Sequence, residues 1–244
     1  MIKSKELYNQ FAPYFHLYSR KKQLYLDSIN RLILLTLPVK TDHILDVGAG
    51  DGTRGYNLFR KIKAKKIIMI DNSPKMVALL KKYSSKSCKA LECNISSDEK
   101  IFKISNKFDI ILCLWNVLGH ISSSQKRIMA LKNMKYLLSN KGKIYIDVSN
   151  RYNICHYGYK KVVGNIKRDI FSPSVKNGDF DYLIKIKKNV VIESSCHFFN
   201  PFEMMNLIKK AGLTIDKKFY INYKTGKKEK TFFRGHLFYI LKCR

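Results

Sequence analysis

The chain has 244 residues, which at ~150 residues per domain is one large domain or one domain with an insertion. Hydrophobic residues make up 45% and charged residues 27%, so the chain can bury a core and is not a disordered polymer. Lys and Arg number 47 against 18 Asp and Glu, a formal charge of +29, which leaves two readings open. One is an anionic partner such as RNA. The other is the Lys-, Ile- and Asn-rich composition that an AT-rich genome gives any protein, since readers of phosphate and bases favour Arg for its planar fork.

The elements follow in chain order. Tyr8, Phe11, Tyr14, Phe15 and Tyr18 recur at helical spacing and predict one aromatic helical face, either packed on the core or forming a lid. A second helix is predicted over 22–37, stopped by Pro38. Strands are then expected at 43–47, 66–71, 88–93, 108–113 and 143–148, with helices between them. Pro74 opens one of those helices, and another covers 124–138, ending near Asn140 and Gly142. Five strands joined by helical crossovers imply a parallel sheet with helices on both faces. Residues 151–200 carry no strong helix signal. Within them, 182–187 and 189–193 read as a short hairpin. A helix over 201–211 stopped by Gly212, and strands over 213–223 and 231–241 about Lys224-Thr225-Gly226, complete the chain. The expected organisation is a single unit over 1–244. It has a helical lid (1–38), a binding core (39–150), an acceptor-side insertion (151–200) and a C-terminal helix with a strand pair (201–244).

The longest apolar run, Leu32 to Val39, is broken by Thr36 and Pro38 and falls far short of the ~20 residues that cross a bilayer. The start, Met1 to Glu6, has no apolar signal core. No membrane insertion and a cytoplasmic location are expected. The six cysteines, Cys88, Cys93, Cys113, Cys155, Cys196 and Cys243, include no CxxC. Cys155-His156 and Cys196-His197 suggest zinc, but adjacent residues on a strand point to opposite faces and chelate poorly. Reduced thiols and no metal are expected.

The informative stretch is Ile44-Leu45-Asp46-Val47-Gly48-Ala49-Gly50-Asp51-Gly52. A buried strand runs into a G-x-G-x-G turn, where glycines let the backbone approach a ligand. Asp71 ends the second strand, where a carboxylate accepts both hydroxyls of a ribose. Gly50 to Gly55 formally matches the dinucleotide G-x-G-x-x-G, but the register is wrong. That fingerprint should begin at Gly48, which puts Thr53 at its third glycine. Asp46 and Asp51 would also repel a pyrophosphate.

With these motifs, residues 40–150 resemble the class I (Rossmann-like) S-adenosylmethionine-dependent methyltransferases, closest to the small-molecule N- and O-methyltransferases. The resemblance implies a doubly wound α/β fold whose seven-stranded, mostly parallel sheet ends in an antiparallel strand. It implies S-adenosylmethionine as cofactor and S-adenosylhomocysteine as product. Gly48, Gly50 and Gly52 would line the methionine part, Asp71 would hold the ribose and Asn72 would lie near the adenine. Asn94, followed by Ile95, stands where many members carry an acid by the adenine amino group. Asp46, Ala49, Met76, Leu114 and Trp115 complete the cofactor set. The segment Leu114-Trp115-Asn116-Val117-Leu118-Gly119-His120 lacks the Asn/Asp-Pro-Pro-Tyr signature of enzymes that methylate base amino groups in DNA. It looks like the same segment of small-molecule enzymes and, less closely, of certain tRNA wobble-uridine enzymes.

Methyl transfer is an in-line displacement that rests on alignment and exclusion of water, so a base is needed only for a protonated nucleophile. His120 is the candidate base, with a structural histidine as the other reading; His16 is a weaker candidate. Tyr14, Tyr18, Asn116, Arg151 and Tyr152 are the candidate acceptor contacts. Arg151 would either clamp an anionic group or position its loop in an ion pair. Lys217, Lys218, Lys224, Lys227, Lys228 and Lys230 form a basic hairpin that reads first as a solvated face. Three functions are weighed: methylation of nitrogen or oxygen on a small molecule, methylation of RNA such as tRNA, and a non-catalytic cofactor-binding partner protein. Oligomeric state is not readable from the sequence.

Overall fold

A computed structural model describes residues 4–97, 101, 104, 106–187 and 190–243. Strands β1 (His43–Val47), β2 (Lys66–Asp71), β3 (Cys88–Glu92), β4 (Phe108–Cys113) and β5 (Leu138–Val148) run parallel in one sheet. The chain then adds β8 (Leu213–Ile221), the two-residue β9 (Lys228–Glu229) and β10 (His236–Cys243). Their order is β3-β2-β1-β4-β5-β10-β8-β9, and β10 pairs antiparallel with both β5 and β8. The expected seven strands are all present, and the short β9 extends the edge to eight.

The strands are apolar on both faces because helices cover both. On one face α6 (Ser124–Leu137) and α9 (Pro201–Lys210) bury Leu131, Met134, Met204 and Leu207 against Leu45, Ile111, Ile146 and Tyr239. On the other, α3 (Gln23–Leu34) and α4 (Thr53–Ile62) bury Tyr25, Ile29, Ile33 and Leu58 against Ile44, Ile110, Tyr145 and Phe238. The two core sets alternate along each strand, as the two-residue repeat of a strand demands. No helix among the described residues is long and apolar enough to cross a membrane.

Five expectations about elements change, one being that the last strand, expected over 231–241, begins at His236 after a 3-10 turn at Phe232–Arg234. The aromatic segment is not one helix. Pro13 cannot donate to a helix ladder, and Ala12–Tyr14 forms a 3-10 turn between α1 (Ser4–Phe11) and α2 (Phe15–Arg20). The helix expected over 22–37 stops at Leu34, where the Thr36 hydroxyl donates to the Leu32 carbonyl (2.6 Å). The strand expected from Lys143 begins at Leu138, with a register shift against β4 that absorbs the extra residues. Residues 151–200 do contain helix: α7 (Ile154–Tyr157) and the 13-residue α8 (Tyr159–Phe171). The expected hairpin follows as β6 (Asp179–Lys187) and β7 (Val190–His197); its expected start at Asn189 lies outside the described residues.

The hairpin and the N-terminal helices share a small core of their own. Leu7 and Phe11 are buried with Ile184, Ile186 and Ile192, and Tyr8, Tyr14, Phe15, Tyr18 and Tyr182 pack around them. This unit sits over the carboxyl edge of the sheet, where open α/β sheets bind ligands.

Two glycines test this packing in opposite directions. An added Cβ at Gly55, in α4, would overlap the Asp46 carboxylate, whereas at Gly164, inside α8, it would meet nothing within 4 Å. Gly55→Ala is expected to cost about 1–3 kcal/mol, and Gly164→Ala to stabilise by about 0.4–1 kcal/mol. Urea denaturation of both variants checks the pair.

Candidate active site

The turn after β1 is built to bring backbone to a ligand. Gly48, Gly50 and Gly52 have φ of 66°, 60° and 77°, the left-handed region that side chains avoid. The Gly48 and Ala49 amides donate to the Ile70 carbonyl (2.8 and 3.0 Å), and the Gly50 amide donates to Asp71 Oδ2 (3.0 Å). Asp71 Oδ1 accepts from the Ser73 amide (2.9 Å). The carboxylate thus fastens the glycine turn to the end of β2. Burial pushes Asp71 up to about 6, against the pull of the Ser73, Gly50 and Asn72 amides.

A cavity of about 430 Å³ opens beside this turn. Of the predicted site residues, Gly48, Gly50, Asp71, Asn72, Asn94, Ile95, Leu114, Trp115 and His120 line it. Tyr8 and Phe15 from the lid, and Val117 after β4, complete the wall. Both glycines that face it are crowded from outside. A Cβ on Gly48 would lie 2.6 Å from the Val117 side chain, and one on Gly50 would lie 2.7 Å from the Phe15 ring.

The other predicted cofactor residues stand behind the wall. The Asp46 carboxylate turns toward Gly55 beneath α4, and burial pushes it up to about 7 against the pull of Arg54. Gly52 backs onto Leu80 and Tyr83. Ala49 packs on the α3–α4 side of the core, and Met76 is fully buried on α5 (Pro74–Leu80). They shape the turn and do not face the cavity.

The loop after β4 holds the least expected feature. Trp115 and Asn116 both adopt positive φ, 62° and 61°, a conformation that costs a non-glycine residue about 1–2 kcal/mol. Asp147, at the end of β5, holds them there. Its Oδ1 accepts from the Trp115 amide (2.7 Å) and its backbone carbonyl from the Asn116 amide (3.0 Å). Its Oδ2 accepts from the Tyr25 hydroxyl (2.8 Å), and Arg54 lies 4.0 Å away. Asn116 Oδ1 accepts from the Ser149 amide (3.0 Å), so this side chain serves the loop. The Trp115 indole is stacked on Tyr18 (5.6 Å, 19°), meets the edge of Phe15 (5.6 Å) and donates toward the Tyr223 hydroxyl (3.4 Å).

His120 lies against Tyr8, ring to ring at 5.2 Å, with Nδ1 buried and no hydrogen-bond partner among the described residues. Burial lowers the imidazole to about 4, and a hydrogen bond to the Ser195 backbone opposes this only in part. The ring is therefore neutral at pH 7.

The expectation that Arg151 and Tyr152 meet an acceptor is corrected. Arg151 is buried, with Nε on Asp169 (2.9 Å) and Nη1 on Glu203 (2.6 Å) and the Phe198 carbonyl (2.8 Å). The Tyr152 hydroxyl donates to the same Asp169 (2.6 Å). The ion pair that positions the loop is the reading that holds. Tyr14 and Tyr18 also do not reach the cavity. Tyr14 packs in the lid core and Tyr18 stands behind Trp115.

Sequence reasoning missed Asp147, Arg54, Phe15 and Val117. A signal for the first existed: Leu45-Asp46-Val47 and Ile146-Asp147-Val148 repeat one pattern at two strand ends. Asp147→Ala is expected to lower stability by about 2–4 kcal/mol, because it orphans a buried amide and a buried hydroxyl beside a strained loop. Trp115 is the only tryptophan, so its emission should shift to the red as the indole is hydrated. Unchanged stability and emission would remove Asp147 from this role.

Residues 44–142 match the model of a methyltransferase domain family. None of the curated proteins matches the chain significantly. Three solved structures are similar along most of both chains. An S-adenosylmethionine-dependent methyltransferase from Clostridium acetobutylicum is 18% identical with a TM-score of 0.64, over 97% of this chain and 98% of that one. A putative methyltransferase in complex with the Trm112 methyltransferase activator of Haloferax volcanii is 13% identical with a TM-score of 0.67, over 98% and 96%. S-adenosylmethionine-bound CalS10, an amino pentose methyltransferase from Micromonospora echinaspora, is 14% identical with a TM-score of 0.55, over 91% and 93%. Residues 44–142 thus carry the likeness to a methyltransferase domain, and the whole chain has the fold of the similar methyltransferase structures.

Proposed function

We propose that this enzyme transfers a methyl group from S-adenosylmethionine to a nitrogen or oxygen of a small-molecule acceptor. The observation that carries the reading is the aromatic cover over part of the cavity. The cavity at the glycine turn is roofed by Tyr8 and Phe15, and the lid that bears them is packed onto the β6–β7 hairpin. Similar structures lend support: besides CalS10, an amino pentose methyltransferase, they include a glycopeptide N-methyltransferase and a sugar N-methyltransferase. The RNA reading asks for a basic stripe leading to the cofactor. Among the described residues that line the cavity, only Lys5 and Lys126 are basic apart from the neutral His120, and Lys5 pairs with Glu92 (3.1 Å).

The cavity walls fit the cofactor: two glycines where a Cβ has no room, and a buried carboxylate at the end of β2. When bound, S-adenosylmethionine supplies an activated methyl and a neutral thioether leaving group. Asp71 would accept the ribose hydroxyls, and Asn72, Asn94, Ile95 and Leu114 would hold the adenine side. Phe15 and Trp115 keep water from the transfer point, where alignment is the main source of rate. His120 Nδ1, buried and without a hydrogen-bond partner among the described residues, would serve as the base that accepts the proton of a protonated acceptor nitrogen or oxygen.

Asp71→Ala is expected to weaken S-adenosylmethionine binding by about 1–3 kcal/mol in calorimetry. The ionised carboxylate is the form that accepts hydroxyls, and it is lost below about 6. Affinity should therefore be flat above that pH and fall about tenfold per unit below it, with no such fall in Asp71→Asn. His120→Ala should lower turnover tenfold or more while leaving cofactor affinity intact. The acid limb of the rate should lie near 4, not near the ordinary histidine value. The reading itself is tested by methyl transfer from labelled S-adenosylmethionine into a cell extract. Label that passes a size filter and survives RNase supports it, and retained label released by RNase overturns it.

A further inference from the structure

Three lysines from separate segments gather at one place on the surface beside Trp115. Lys22 stands just before α3, Lys161 lies in the first turn of α8, and Lys224 follows Tyr223 in the turn after β8. Two of them are seated on aromatic rings. Lys22 Nζ is 4.5 Å from the centre of the Tyr223 ring, and Lys161 Nζ is 5.7 Å from Tyr157 and 5.6 Å from Phe180. His156 lies between, its ring 4.5 Å from Tyr157 and 5.3 Å from Tyr223. None of the three lysines is within ion-pair distance of a carboxylate among the described residues. Burial lowers His156 to about 4, helped by the charges of Lys22, Lys224 and Lys161, so the like charges are felt at one point. A chain this rich in lysine has many solvated ones. These differ in converging from three segments and, for two of them, in resting on rings.

The place also adjoins the wall of the donor cavity. Tyr223 accepts from Trp115 Nε1 (3.4 Å), and Trp115 in turn lines the donor cavity. Trp115, backed by Tyr18, is therefore the partition between the lysine-rimmed mouth and the transfer point. Arg151, the earlier candidate for an anion clamp, is already held by Asp169 and Glu203.

We propose that this mouth is the acceptor entrance and that the acceptor is a small molecule with an anionic group, a phosphate or carboxylate, held by Lys22, Lys161 and Lys224. The aromatic surfaces of Tyr157 and Tyr223 pack its body, and its nucleophile reaches past Trp115. The mouth's assignment to the acceptor rests on the methyltransferase reading, whereas anion binding by the three lysines does not.

The test is a titration of the full chain with inorganic pyrophosphate at low salt. It is followed by Trp115 emission and by the NMR titration of His156. Pyrophosphate is expected to bind and to raise the pKa of His156. A Lys22→Ala/Lys161→Ala/Lys224→Ala variant should bind it about tenfold or more weakly, the scale of losing charge-assisted contacts to phosphate. Lys217→Ala/Lys218→Ala, on exposed positions of β8, should leave it unchanged. Equal binding by all three proteins, or none at millimolar pyrophosphate, overturns the site. A short oligoribonucleotide that binds far more tightly through the same lysines, with a steep salt dependence, overturns the small-molecule acceptor in favour of RNA. Cofactor binding is measured on the same samples. Its absence from the unaltered protein would count against the methyltransferase reading alone, and its retention in the triple variant shows that the fold is kept.

Discussion

Asp147 accepts hydrogen bonds from the Trp115 amide and the Tyr25 hydroxyl, and much of the site depends on those two contacts. Trp115 and Asn116 stand in succession in a conformation that side chains avoid. The strain, about 1–2 kcal/mol per residue, is of the same order as a hydrogen bond to a charged group, about 1.5–3 kcal/mol. The carboxylate is what keeps the loop in this shape. It sits in the interior, where burial raises its pKa and the nearby Arg54, the Trp115 amide and Tyr25 oppose that rise. Through it, the end of β5 sets where the indole lies, and the indole sets the boundary between the donor cavity and the surface beyond.

The carboxyl edge of the sheet repeats this economy of charge. Asp46, Asp71 and Asp147 are all buried there, and burial raises all three. Arg54 is the cation that opposes the rise at Asp46 and Asp147, while backbone amides do that work at Asp71. Acids held this way weaken the fold in return for a shaped cavity, the usual exchange at functional sites.

Much of the fold was legible because its signals are local. Apolar runs marked β1, β2, β4 and β5, and the first two end at Gly48 and Asp71. The glycine turn and Asp71 lie close enough in sequence to be read as one motif. His120 could be placed at the cavity because it follows β4 within one short segment. What failed depends on distant partners. Nothing near Arg151 says that Asp169 and Glu203 will meet it, so the sequence alone left the loop-positioning ion pair and the anion clamp both open. Tyr18 looked like a lining residue until its stacking behind Trp115 was visible. The helix α8 was missed because Gly164 and a dense set of basic residues blur its apolar stripe, of which only Val162 is deeply buried. Pro13 marked the break in the lid, but the regular aromatic spacing concealed it.

The lid and the β6–β7 hairpin bury Leu7, Phe11, Ile184, Ile186 and Ile192 in a cluster apart from the two cores of the sheet. The cluster meets the glycine turn through one ring, since Phe11 lies against Phe15 and Phe15 stands over Gly50. The overall shape persists in a solved structure that shares as little as 9% of residues.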